Sequence, residues 1–185
     1  MITTSDFRKG MKIEHENEPY TILDFVHYKP GKGGAFIRAT VRNLLSGKIV
    51  EITWRSGEKV KRPDLDERSY QYLYSDGDTY HFMDNTTFDQ IPLTADQVGN
   101  AREYMKENEN FQIMIYNGRP IAVEPPIFME LLITSSEPGL KGDTATGGTK
   151  PAILETGKKI QVPLFVNEGE SVKVDTRTGE YLERV

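Results

Sequence analysis

The 185-residue sequence contains no cysteine, which excludes disulfides, thiolate metal sites and a cysteine nucleophile. It has no run of about 18 apolar residues, the length that suggests a membrane-spanning helix. Its first residues, MITTSD, lack the positive segment and apolar core of a signal peptide. We therefore expect a soluble, cytoplasmic protein without a membrane partner.

Motifs for nucleotide binding and catalysis are also missing. The sequence has no GxxxxGK[S/T], GxGxxG, GxSxG or HExxH pattern. His15, His27 and His81 are scattered along the chain, which is more typical of surface or core histidines than of metal ligands. The sequence therefore does not favour an enzyme, and it predicts neither a cofactor nor a metal site.

Charge is distributed unevenly in a chain whose formal net charge is −5. Residues 1–63 contain 12 Lys and Arg against 7 Asp and Glu, whereas residues 64–126 contain 4 against 12. Because phosphate attracts the first segment and repels the second, this pattern favours contact between the basic segment and a polyanion. Such an excess also occurs on ordinary solvated surfaces, so charge alone does not identify RNA.

A glycine-rich turn with a central lysine separates two β-rich segments, Tyr20–Tyr28 and Phe36–Val41, as at a hairpin tip. Proline fixes its own φ, and the glycines tolerate positive φ. We therefore expect Lys32, the one long side chain between the glycines, to project its amine into solvent. A plain solvated turn is the alternative. The turn consists of Lys29, Pro30, Gly31, Lys32, Gly33 and Gly34.

The first 63 residues have the pattern of a small β-barrel. In Phe36–Asn43 apolar residues alternate with arginines, which predicts an apolar core face and places Arg38 and Arg42 outside. Four short strands without a helix pattern predict a barrel of SH3-like size. Together with Lys48, the two arginines would form a phosphate-facing surface behind Lys32, with an ordinary solvated face as the alternative.

Two proline-containing segments mark expected domain boundaries, one around Pro63 and one at Pro125-Pro126. They divide the chain into domains 1–63, 64–126 and 127–185. The strand patterns of the second and third domains each predict a five-stranded barrel of OB type. The fold class is therefore all-β, with three small barrels in a row.

The middle domain contains the one convincing helix pattern, between Leu93 and Asn108, where Thr94 and Gln97 match a capping box. Four tyrosines at strand spacing are more typical of core and cross-strand pairs than of base stacking. These are Tyr70, Tyr72, Tyr74 and Tyr80.

The third domain begins with a strand pattern followed by a long loop that we expect at residues 139–151. This loop is rich in glycine and has few apolar residues. It cannot pack a core of its own, which favours a functional role.

Three sequence features together carry a resemblance to a known family over the whole chain. The first is KPGKGGAF at residues 29–36, and the second is GLKGDT at residues 139–144. The third and most specific begins with KPA at residues 150–152 and ends with KVDTRTGEY at residues 173–181. With these features the chain resembles the bacterial translation elongation factor P family.

The resemblance implies an SH3/KOW-like domain followed by two OB-fold barrels, with an elongated, tRNA-like outline. It implies a protein that binds the 70S ribosome, both RNA and proteins, between the P and E sites. Nothing in the sequence suggests more than a monomer. The tip of its first domain would lie beside the acceptor end of the P-site tRNA and relieve stalling at consecutive prolines. The ribosome would perform the chemistry, so the factor would not itself be an enzyme.

By the same resemblance, Lys32 matches the position that carries a covalent modification in the family. Lysine excludes the arginine-rhamnose variant and leaves β-lysylation, aminopentanol attachment or no modification. A modifying enzyme would then be a further partner. Apart from this modification, the resemblance implies no cofactor.

The resemblance also implies RNA contacts in the third domain. The loop would face the small subunit and the E-site codon of the mRNA, where backbone amides and Asp143 or Thr144 would hydrogen-bond exposed bases. Tyr181 and Arg184 would meet RNA near the other end of the factor. The loop positions are Gly142, Asp143, Thr144, Gly147 and Gly148.

An alternative function is a generic RNA-binding or ribosome-assembly protein without a role in peptide-bond formation.

Overall fold

A computed structural model describes residues 1–138 and 148–185, and it confirms the all-β class. The strands are β1 (Ile2–Thr3), β2 (Lys12–His15), β3 (Glu18–Tyr28), β4 (Phe36–Asn43), β5 (Ile49–Arg55), β6 (Lys59–Val60), β7 (Leu65–Asp76), β8 (Thr79–Asp84), β9 (Gln90–Thr94), β10 (Asn110–Tyr116), β11 (Arg119–Glu124), β12 (Phe128–Ser136), β13 (Thr149–Leu154), β14 (Lys159–Pro163), β15 (Ser171–Asp175) and β16 (Glu180–Arg184). The helical segments are α1 (Ala95–Val98) and two 3₁₀ turns, Thr4–Asp6 and Gly99–Tyr104.

The first sheet has the order β2-β3-β4-β5, and β1 pairs separately with β6. Its register confirms the alternation expected along β4. Ile37, Ala39 and Val41 are fully buried, whereas Arg38 and Arg42 are exposed. Because side chains alternate between the two faces of a strand, burying the apolar set forces the arginines to the outside.

The second sheet has the order β11-β10-β7-β8-β9 and therefore the five strands that the sequence predicts. Tyr70 and Tyr72 are buried, as expected for core residues, and Tyr72 packs against Phe82 and Phe111. Tyr74 is exposed instead. Strand alternation thus separates these aromatics into core and surface positions.

The helix of the middle domain is much shorter than the pattern from Leu93 to Asn108 predicts. The capping box is present, because the Thr94 Oγ1 accepts from the Gln97 backbone N–H and Gln97 Oε1 accepts from the Thr94 N–H. Gly99 then adopts φ 59°, which ends α1 after Val98. In the part of the chain that the structure describes, no helix is long and apolar enough to cross a membrane.

The third sheet has the order β14-β13-β12-β15-β16. Strand β13 starts at Thr149, so it occupies the end of the segment that the sequence predicts as loop. Its inward positions are Lys150, Ala152 and Leu154, all buried. A lysine at an inward position conceals the alternation, which explains why the sequence pattern did not reveal this strand.

The described residues group into two compact units. One contains Met1–Asp66 and Met114–Ala122, and the other contains Glu67–Ile113 and Val123–Val185. Residue Tyr116 shows why a central segment groups with the first barrel, because its hydroxyl donates to the Asn17 carbonyl at 3.1 Å. Boundaries after residues 63 and 126 stay predictions.

Candidate functional site

The candidate site lies at the tip of the hairpin formed by β3 and β4. The two strands pair from Tyr20 opposite Asn43 up to Tyr28 opposite Phe36, where the pairing ends. Strand β5 lies on the other side of β4, and the Ser56 backbone N–H donates to the Ala35 carbonyl at 2.9 Å. This bond anchors the returning end of the loop to the barrel.

Residues 29–34 of the tip are all exposed, as the glycine-rich sequence predicts. Within the described ranges 1–138 and 148–185, Lys32 has no hydrogen bond or ion pair, so its amine is available to a partner. Of the three glycines, Gly33 has a positive φ, 113°. An added Cβ on Gly31 or Gly34 would meet no atom within 4 Å, which leaves room for close approach of another molecule.

An aromatic pair lies directly below the tip. Tyr28 and Phe36 are stacked, with ring centroids 4.9 Å apart and planes 17° from parallel. The guanidinium carbon of Arg38 lies 5.5 Å from the centroid of the Tyr28 ring. We call these three residues the neck of the hairpin. The strand patterns predict only that Tyr28 and Phe36 lie in strands. Their places at the ends of two segments flanking a short loop indicate a cross-strand pair.

The cationic residues predicted behind Lys32 lie at very different distances from it. Arg38 is two residues into β4 from the tip, whereas Arg42 is six residues in, about 20 Å along an extended strand. Lys48 follows the turn at the far end of β4, just before β5. The fold therefore brings Arg38 near the tip and leaves Arg42 and Lys48 at the opposite end of the hairpin.

One carboxylate on the same face is neutralised by its own partner. Asp24 lies opposite Thr40, and its Oδ1 is 2.9 Å from the Lys9 Nζ. The hydrogen bond from Lys9 is the main cause that holds the pKa of Asp24 below its usual range. Glu51, which lies across from Thr40 on β5, is exposed. The end of the face nearest the tip thus carries Arg38 without an acidic residue directly opposite.

The predicted RNA-contacting residues of the third domain are divided between described and undescribed parts of the chain. Gly148 is exposed immediately before β13. Tyr181 is half-buried against the core of the third sheet. Arg184 is exposed, its Nη1 is 3.2 Å from Glu170 Oε1, and its guanidinium carbon is 5.9 Å from the Phe165 ring centroid. Four loop candidates, Gly142, Asp143, Thr144 and Gly147, lie outside the described residues.

Residues suited to metal binding do not gather at the tip or elsewhere in residues 1–138 and 148–185. No group of three or more His, Cys, Asp or Glu side chains there is arranged to hold a metal ion. The functional groups at the tip are therefore the solvated primary amine of Lys32 on a glycine-rich loop and the guanidinium of Arg38 behind it. Such a set can donate hydrogen bonds to phosphate or hydroxyl oxygens.

Three family models match consecutive parts of the chain. An "Elongation factor P (EF-P) KOW-like domain" matches residues 3–60, and an "Elongation factor P (EF-P) OB domain" matches residues 65–123. The model "Elongation factor P, C-terminal" matches residues 129–184. These matches agree with a KOW-like barrel followed by an OB barrel.

Individual proteins match over the full length. Elongation factor P of Natranaerobius thermophilus is 52% identical over 185 residues, which is 100% of this chain and 98% of the relative. Elongation factor P of Moorella thermoacetica is 52% identical over 184 residues and is covered completely.

Among solved structures, translation initiation factor 5A from Methanococcus jannaschii superposes with a TM-score of 0.56 at 23% identity. The superposition covers 64% of this chain and 88% of the other. At that identity the likeness supports the fold alone. The three family models and the full-length relatives settle the family, and the chain belongs to the elongation factor P family of translation elongation factors.

Proposed function

We propose that this factor stimulates peptide-bond formation at consecutive prolines by positioning the acceptor end of the P-site tRNA with Lys32. The observation that supports this proposal is the exposed amine at the hairpin tip, which has no partner among residues 1–138 and 148–185. The ribosome performs the reaction, and the factor contributes position rather than a reacting group. It is therefore not an enzyme in its own right.

The difficulty that the factor relieves follows from the structure of proline. The pyrrolidine ring fixes φ, which restricts the geometries in which a prolyl-tRNA attacks or is attacked. Holding the tRNA end in a productive orientation lowers the entropic cost of reaching the transition state. An ammonium group with three N–H donors suits this task, because it bonds to phosphate and ribose oxygens without a fixed direction.

The surrounding residues fit approach by RNA. The loop offers no bulky side chain beside Lys32, because Gly31 and Gly33 flank it. Arg38 adds a second cation on the face that leads to the tip, where it can contact a phosphate. The ribosome and the P-site tRNA are the partners of this proposal, and the E-site codon is a further one for the third domain.

A covalent extension of Lys32 belongs to the same proposal. The side chain is accessible to a modifying enzyme, and an added group carrying donors would extend the reach of the amine. Intact-mass measurement of the natively expressed protein, followed by peptide mapping, tests this directly. A mass excess located on Lys32 supports modification, and an unmodified mass would refute it.

The central test replaces Lys32 with alanine and measures triproline peptide synthesis on reconstituted ribosomes. Loss of a positioning contact of about 1.4 kcal/mol lowers a rate tenfold, so we expect at least about a tenfold loss of stimulation. Ribosome binding should change little. Lys48→Ala is the matched control, because it removes an exposed lysine from the same barrel at the far end of the hairpin.

Equal rates for Lys32→Ala and the unaltered protein would refute the proposal. They would leave generic RNA binding as the alternative, which predicts a steep salt dependence of binding to free RNA and no need for peptidyl-tRNA. Salt titrations of binding with and without a P-site tRNA separate these two functions.

A further inference from the structure

The direction in which the tip loop leaves the barrel depends on a strand that is supported on one side. Strand β2 pairs with β3 only as far as Thr21, opposite Lys12. From Asp24 to Tyr28, within residues 1–138 and 148–185, β3 is paired with β4 alone. This end of β3 leads directly into the tip loop.

The two legs of the loop are held differently. The returning leg is fixed by the hydrogen bond between the Ser56 N–H and the Ala35 carbonyl, and β4 continues between two neighbouring strands. The outgoing leg starts at Lys29, which is exposed and follows the end of β3 that has a neighbouring strand on one side only. On the side without a neighbouring strand, side-chain packing must therefore restrain the end of β3.

Tyr28 makes that packing. Its ring stacks on Phe36, its direct partner across the hairpin, and lies beside the Arg38 guanidinium. Tyr28 is nevertheless 41% exposed, so its contacts are made at the surface and not within the core. Aromatic stacks and cation–aromatic contacts both depend on ring geometry, so they restrict the angle between the two strand ends.

We propose that Tyr28 is a positioning residue for Lys32, acting through its stack on Phe36 and its cation–π contact with Arg38. The stack fixes the outgoing leg of the loop, and the amine four residues further on is thereby presented in one direction. Without the ring, Lys29 and the residues that follow sample a wider range of directions. This inference rests on the proposed function of Lys32, and it assigns Tyr28 no contact with RNA.

The test compares Tyr28→Ala with Tyr28→Phe in the full-length protein. Phenylalanine keeps the ring and therefore the stack, whereas alanine removes both contacts. Val26→Ala is the matched control, because Val26 lies on the same strand and face and is 51% exposed. Lys32→Ala is measured in parallel, and thermal unfolding verifies that each variant is folded.

Triproline synthesis is measured as a function of factor concentration, which separates the maximal rate from the half-saturating concentration. We expect Tyr28→Ala to lower the maximal rate about fivefold and to leave the half-saturating concentration unchanged. A fivefold loss corresponds to roughly 1 kcal/mol of free energy that favours the productive orientation of Lys32. Tyr28→Phe and Val26→Ala should match the unaltered protein. Backbone ¹⁵N relaxation should show greater motion of residues 31–34 in Tyr28→Ala alone.

Three results would overturn the inference. A normal maximal rate for Tyr28→Ala, with Lys32→Ala inactive, would remove the positioning role and leave the proposed function intact. A raised half-saturating concentration with a normal maximal rate would show instead that Tyr28 binds the ribosome directly. A normal rate for Lys32→Ala would overturn the proposed function, and this inference with it.

Discussion

Replacing Gly33 with alanine separates the conformation of the tip from the chemistry of Lys32. Gly33 has φ 113°, a value that residues with a Cβ rarely adopt. An added Cβ would lie 3.9 Å from the Pro30 Cγ, which is an ordinary contact, so crowding is not the difficulty. The cost is conformational and amounts to about 1–3 kcal/mol for a residue held in such a region.

That cost should affect activity and not the stability of the barrel. Because residues 29–34 are exposed, the loop can relax to another conformation without disturbing the core. The population of the observed loop conformation would fall about 5- to 150-fold, the factor that corresponds to 1–3 kcal/mol. The free energy of unfolding of the barrel should stay within about 0.5 kcal/mol of the original value, as for most surface substitutions.

The assay is triproline synthesis at saturating factor, with urea unfolding measured on the same samples. Gly34→Ala is the control, because Gly34 is exposed, has no positive φ and leaves an added Cβ free of neighbours within 4 Å. We expect a loss of rate for Gly33→Ala and none for Gly34→Ala. Equal rates for Gly33→Ala and the unaltered protein would refute the reasoning, as would an equal loss in both variants.

Two further predictions concern stability. Leu131 is fully buried in the third sheet, so Leu131→Ala should lower the free energy of unfolding, measured in urea, by about 2–5 kcal/mol. Leu132 lies on the exposed face, so Leu132→Ala should have a small effect. Similar losses in the two variants would contradict the assigned faces. Backbone N–H donors of Thr86 and Thr87 hold the pKa of Asp84 below its ordinary value of 3.8. The carboxylate therefore stabilises the fold above pH 3.8 and loses this effect as the pH falls through the lower, folded pKa. Asp84→Asn should be less stable at pH 7, with a difference that shrinks in acid; a constant difference in urea midpoints between pH 7 and pH 3 would exclude this explanation.

Local sequence patterns were sufficient where one residue and its immediate neighbours set the conformation. Asn117 and Gly118 form an Asn-Gly pair, which is typical of a type I′ hairpin turn, and both residues have positive φ, 49° and 78°. The exposure of Lys32 follows in the same way from the glycines around it, since none of them can cover its side chain.

Patterns failed where a distant part of the chain determines the outcome. Ala101 and Tyr104 recur at helical spacing, yet they lie in a 3₁₀ turn after Gly99, and Tyr104 is buried in the core of the third sheet. Lys150 occupies an inward strand position that its polarity argues against. For Tyr104, packing against the third sheet overrides the local helical preference.

The sequence by itself determined the family resemblance, the all-β class, the two faces of β4 and a lysine at an exposed hairpin tip. These follow from alternation and turn chemistry, which act over a few residues. Only the tertiary structure decided that Tyr28 stacks on Phe36 and that Arg38, but not Arg42 or Lys48, lies near the tip. Such relations depend on strand register and on where each strand ends, because those features set which side chains meet across a sheet.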